Sequence, residues 1–214
     1  RQGGPEGKVI LSGPSSTVSL RRWMDSISGY GIGLTIIDGA LSRKSSASPA
    51  VSEAMVLATG AALSCSLPVL LEKTAFCVEM IRLPEVEVLD LPQEETLTVS
   101  SIAQEVDIAA GVKRVEIAGA LTDRLLNRLA ADRRLPEIEV AVADFTRIFV
   151  SPENWRRFVR AGGRLGVHRK TTLLAVCVNP LAPNGYRFDS EMLCRTLSER
   201  IQLPVYDLRR QNEA

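Results

Sequence analysis

The chain has 214 residues, 45% hydrophobic and 24% charged, which is enough apolar material for a sizeable core in one large domain or two small ones. With 26 Lys+Arg against 25 Asp+Glu the formal net charge is +1, so there is no global attraction to nucleic acid or to an acidic membrane surface. No run approaches the roughly 18–20 apolar residues that span a bilayer, and no signal peptide is visible, so a cytoplasmic protein is expected.

In chain order, "KVIL" (8–11) reads as a strand, "SGPSST" as a turn and "VSLRRWMDSI" (18–27) as a helix. "LTIID" (34–38) is the next predicted strand. "SPAVSEAMVLA" (48–58) has the signature of a helix, with Ser48 as cap and Pro49 at the first position. "SLPVLLEKTAFCVEMI" (66–81) repeats that design around Pro68. Residues 82–100 hold two prolines and an acidic cluster; they read as a connection or an edge element, and mark where a boundary between two halves would fall.

Beyond it, "RVEIAG" (114–119) predicts a strand and "ALTDRLLNRLAAD" (120–132) a helix. "EIEVAVAD" (137–144) is a strand, and "SPENWRRFVRAG" (151–162) a helix capped by Ser151. "TTLLAVCVNP" (171–180) is a β-branched buried strand and "APNGYRF" a turn. "DSEMLCRTLSERI" (189–201) is a helix capped by Asp189, and "PVYDL" (204–208) closes as a strand. Strands alternating with helices predict an α/β fold with a mostly parallel sheet flanked by helices, taken as one domain over 1–214. Scarce aromatics (5%) suit such a sheet better than a β-sandwich. The Gly-rich start without Met suggests the C-terminal portion of a longer polypeptide.

In parallel sheets ligands gather beyond the carboxyl ends of strands, and this narrows the search for function. Asp38 ends an apolar run and is followed by Gly39, which lets a ligand approach the backbone. A carboxylate on a strand tip suits a hydrated Mg²⁺ beside nucleotide phosphates, as in a Walker B arrangement. An Asp capping its own turn is the simpler alternative. Arg43 and Lys44 supply cations for an anion, and Ser45, Ser46 and Ser48 supply hydroxyl donors in front of a predicted helix N-terminus. A solvated loop with an ordinary cap is the competing reading. Asn179 closes a buried strand, where it can read a base or simply end the strand before Pro180. Asp123, Arg124 and Asp144 belong to the same rim.

"LSGPSST" (11–17) lies between a strand and a helix but lacks the lysine of a phosphate loop, so any principal phosphate loop would lie upstream of Arg1. The cysteines (65, 77, 177 and 194) contain no Cys-x-x-Cys pair, and His168 is the only histidine. No zinc, haem or iron–sulfur group is expected, and no paired acid–base set is legible. "IIDGALSRK" (36–44), "EIAGALTDR" (116–124) and, more weakly, "ATGAALSCS" (58–66) echo one another as strand-to-turn units.

The stretches "IIDGALSRKSSASPAVSEAMVLATGAALS", "IAGALTDRLLNRL" and "LLAVCVNPLAPNGYRFDSE" resemble the KamB-like reactivase family that accompanies adenosylcobalamin-dependent aminomutases of lysine and ornithine. The resemblance implies a P-loop-like, three-layer α/β fold and a role beside a partner ATPase subunit in reactivating an aminomutase whose cofactor is damaged, using ATP or another nucleotide with Mg. Carried onto this chain, Asp38 becomes the Walker B-like carboxylate and residues 43–48 its anion-contacting loop. The sequence departs from the family in showing no phosphate loop: either the chain is a portion of a longer one, or nucleotide binding was lost. A homo-oligomer is compatible with the sequence. A metabolic enzyme acting on an anionic substrate at the same rim, and a purely structural module, are the alternatives.

Overall fold

A computed structural model describes residues 14, 16–39, 47–86, 92–100 and 107–211. The larger sheet has four parallel strands in the order β2-β3-β5-β7, formed by Thr96–Val99, Arg114–Ile117, Glu139–Val142 and Arg164–Val167. Glu85 adds a parallel bridge to Val167, so the chain near 84–86 lines the outer side of β7. The smaller sheet is also parallel: β1 (Ala54–Gly60), β8 (Thr172–Asn179) and β9 (Val205–Tyr206), in the order β1-β8-β9. A two-residue ladder joins β4 (Leu121–Thr122) to β6 (Ile148–Phe149).

Each strand of the larger sheet alternates, and the register aligns the alternation. Val115, Val140 and Leu165 share one face with Ile117, Val142 and Val167. That face meets Leu125, Leu126 and Leu129 of α3 (Asp123–Ala131), Trp155 and Phe158 of α4 (Pro152–Arg160), and Met80 and Ile81 of α2 (Leu67–Ile81) in one apolar core. A second core joins Val176 and Val178 of β8 to Leu70 and Val78 of α2 and to Leu193, Leu197 and Ile201 of α5 (Ser190–Ile201). Helix α2 therefore contributes to both cores. The architecture is α/β, with parallel strands flanked by helices, as the alternation of elements predicts.

The helix starts follow their caps. Ser151 accepts from the Asn154 N–H ahead of Pro152, and Asp189 accepts from the Met192 N–H at 2.7 Å. Ser16 does the same for α1 (Thr17–Ile27). Between β1 and α2, Gly60 has φ 151°, and a Cβ there would lie 2.1 Å from the Asn179 carbonyl oxygen. Only glycine allows the two strand tips to meet so closely.

Several expectations are corrected. Residues 48–58 are not a helix. Ser48 begins a single turn, its carbonyl accepting from the Val51 and Ser52 N–H groups, and the chain then runs into β1. The Ser-Pro start signal is real, but seven paired positions along β8, with a register shift between Met55 and Val56, capture the apolar run that follows. Residues 34–38 join no ladder: the chain over 31–39 lies outside regular structure, with Leu34 77% and Ile36 85% exposed. A strand needs a neighbour to complete its hydrogen bonds, and among the described residues this segment has none. Within 82–100 the edge reading holds, since β2 and the Glu85 bridge lie there. The four-residue β7 was not predicted. The predicted strand at 8–11 lies outside the described residues.

Candidate functional site

The carboxyl ends of β3, β5 and β7 share one rim. Two residues beyond β5, Asp144 is only 4% exposed. Its Oδ1 accepts from the Thr146 N–H at 2.9 Å and from the Thr146 hydroxyl, while its Oδ2 accepts from the Ser48 hydroxyl at 2.7 Å. A buried carboxylate needs such donors, because they replace the water it has lost. Asp144 thus opens the short turn Phe145–Arg147 and at the same time pins a residue 96 positions earlier to the sheet's carboxyl edge. Nearby, Asp123 accepts from the Ser151 N–H at 2.8 Å, tying the start of α3 to the cap of α4. The hydroxyls of Thr122 and Thr171 are buried and have no hydrogen-bond partner among the described residues. Orphaned polar atoms of this kind call for a water or a ligand group.

A second cluster crosses the polar face of the same sheet. Register places Glu116, Ala141 and Gly166 side by side, with Arg114, Glu139 and Arg164 one layer earlier. Arg114, 5% exposed, donates through Nε and Nη2 to Oε2 of Glu139 at 3.0 and 2.6 Å. His168, the residue after β7, brings its Nε2 within 2.6 Å of Oε2 of Glu116. One strand, β5, lies between the two, and its residue in register with Glu116 is the small, fully buried Ala141. A histidine oriented by a carboxylate can accept and return a proton, and Arg114 beside Glu116 (4.0 Å) offsets the negative charge. This pairing joins residues 52 apart in the chain. Only the order of strands brings them together, and the only signal in the sequence was that His168 follows a short apolar run.

Of the residues singled out from the sequence, Asp38 and Gly39 are exposed at the end of the extended 31–39 segment. Arg43, Lys44, Ser45 and Ser46 lie outside the described residues. Ser48 is buried, and its hydroxyl donates to Asp144 and accepts from the Ala50 N–H, so it holds the turn ahead of β1 and caps no helix. Asn179 is exposed at the tip of β8; its side-chain oxygen accepts from the Leu181 N–H at 3.1 Å and its carbonyl from the Ala61 N–H at 2.9 Å. Ser48 and Asp144 are thus brought together at the rim of the larger sheet, while Asn179 belongs to the rim of the smaller. Among the described residues no group of three or more His, Cys, Asp or Glu side chains is placed to hold a metal ion. No described helix is long and apolar enough to cross a membrane. No protein-family model, curated protein or solved structure matches the chain.

Proposed function

We propose that this protein is an accessory subunit that binds Mg-nucleotide, with ATP as the first candidate, and assists a partner ATPase in reactivating an adenosylcobalamin-dependent amino-acid aminomutase. The observation that carries the reading is the Ser48–Asp144 bond. It fixes Ser48, which follows Arg43, Lys44, Ser45 and Ser46 closely in the sequence, at the carboxyl edge of a parallel sheet, where anionic ligands are ordinarily held. Asp38 and Gly39 face solvent and are accessible to a hydrated cation. The sequence resemblance supplies the partners, and the same reading places the protein in the cytoplasm.

Titration of Mg-ATP into the full-length protein tests this. Saturable, Mg-dependent binding is expected, and Asp38→Ala should abolish it while leaving the melting temperature unchanged. Equal affinity in the variant removes Asp38 from the site. Recovery of a damaged aminomutase that needs this protein, ATP and the partner ATPase together tests the wider role.

A second reading is favoured by one specific observation, the His168–Glu116 pair: an enzyme acting by proton transfer on a small anionic substrate at the same rim. Turnover by the isolated protein, lost in both His168→Gln and Glu116→Gln, would put this reading first.

A further inference from the structure

Helix α4 packs on α3, and α2 packs on α5, so α2 and α4 face each other across a gap. Two polar side-chain contacts bridge it, the Trp155 Nε1 donating to Glu79 at 2.7 Å and Arg156 paired with Glu72. The C-terminal turn of α5 closes one end, where Arg82 donates to the Ile201 carbonyl at 3.1 Å. What remains is an open groove of about 1080 Å³. Its apolar surface comes from Leu71, Ala75, Phe76, Trp155 and Val159, and Val159 is 48% exposed.

The rim is strongly cationic. Arg82, Arg156, Arg160 and Arg200 line the groove against Glu72 and Glu79; Glu72 is paired with Arg156 and Glu79 accepts from Trp155, which leaves arginine in excess. Arg157 joins Arg160 in an adjoining hollow that Glu153 and Asn154 also line. In a chain with a net charge of +1, this is a marked local concentration of arginine.

We propose that this groove is a docking site for an acidic amphipathic helix of a partner protein. The walls are helices whose backbone groups are bonded internally, so an extended peptide would find no strand edge to pair with. A helix needs none, and it can lay apolar residues at i, i+3 or i+4 and i+7 on the floor. Its acidic flanks would then meet the arginines, which form directional paired bonds with carboxylates. Nucleic acid is the poorer occupant: Trp155 is only 6% exposed and offers little ring face for a base, and the two glutamates oppose a phosphate track. This inference is independent of the nucleotide reading, because neither Asp38 nor the Ser48–Asp144 pair at the carboxyl edge of the larger sheet takes part.

These 214 residues contain two tryptophans, so Trp23→Phe leaves Trp155 in the groove as the only one among them. The probes are a synthetic helical peptide with a Leu/Ala face and Glu flanks, the same peptide with every Glu replaced by Lys, and a duplex DNA oligonucleotide. Binding is followed by Trp155 emission and by calorimetry. The Glu peptide should bind saturably with a Kd of about 100 μM or tighter, weakening as salt is raised. In the Arg156→Glu/Arg200→Glu variant, checked for unchanged circular dichroism, affinity should fall by about tenfold or more. Val159→Asp should weaken binding as well. No calorimetric binding of the Glu peptide, equal binding of the Lys peptide, or preference for the duplex would each overturn the proposal.

Discussion

The two sheets are made of different kinds of strand. In the larger sheet, Arg-Val-Glu-Ile, Glu-Val-Ala-Val and Arg-Leu-Gly-Val alternate strictly, and each face receives what it calls for. The apolar face is sealed, with Val115 and Val140 fully buried, and the polar face satisfies itself through the Arg114–Glu139 and Glu116–His168 pairs. In the smaller sheet, β1 and β8 are apolar nearly throughout, the pattern of strands buried on both sides. Val176 is fully buried against the helices, yet Val56 is 51% and Leu174 57% exposed. Alternation thus encodes one covered face, and a continuous apolar run calls for two. Among the described residues the smaller sheet has only one.

The largest expected effects concern whether the two cores act together. Phe158→Ala in the first core should cost about 3–5 kcal/mol and Leu193→Ala in the second about 2–5 kcal/mol. Because α2 feeds both cores, urea unfolding followed by Trp155 fluorescence and by circular dichroism should show one shared transition for each variant. An early, separate transition in Leu193→Ala, silent in Trp155, would mean that the smaller sheet melts alone.

Next comes the rim of the larger sheet. Asp144→Ala strands the hydroxyls of Ser48 and Thr146 and a backbone N–H, and about 2–3 kcal/mol of stability should be lost; Ser48→Ala, which removes the bond to Asp144 and a longer one from the Ala50 N–H, should cost about 1 kcal/mol. Equal losses would show that the long-range bond, and not the local turn, dominates. At the rim of the smaller sheet, Gly60→Ala should cost about 2 kcal/mol, since φ 151° and the Asn179 carbonyl both oppose a Cβ. A smaller drop in melting temperature than Ser48→Ala gives would show a loose strand tip.

Leu174→Ser on the uncovered side of the smaller sheet should change stability by no more than about 0.5 kcal/mol. A loss of several times that would show that this face is covered in solution. The smallest effect belongs to Asp132, whose carboxyl is held below the usual aspartate range by hydrogen bonds from the Arg134 side chain and backbone N–H, with Arg134's charge adding to them. A depressed folded-state value gives stabilisation that is present above the unfolded value and lost as pH falls through the folded one. Asp132→Asn should therefore lower stability slightly at neutral pH and not at all in strong acid. A penalty that persists in acid would place the effect in the turn and not in the charge.

How far the chain could be read follows from how local each signal is. α1, α2, α4 and α5 lie within a residue or two of their predicted bounds, because caps such as Ser151 and Asp189 and the helical spacing of Leu193, Leu197 and Ile201 are written within each segment. β1 was misread because Ser48-Pro49 opens a genuine turn just upstream. β7 was missed because four residues containing an Arg and a Gly carry too little periodicity. Of the candidate site, the rim position of Asp144 was legible, but its bond to Ser48 was not. The His168–Glu116 pair was invisible, for it depends on β3 and β7 both flanking β5 in the sheet.

The amino-acid order alone determined that this is a helix-flanked parallel α/β protein, where most helices begin, and that strand ends are the places to look for chemistry. Tertiary structure decided which segments become strands, which neighbours they take and which side chains meet. The reason is physical. A helix closes its hydrogen bonds four residues away, so its rules sit within the segment, whereas a strand's partner and a site's second residue can lie 50 to 120 residues distant, where no local pattern specifies them.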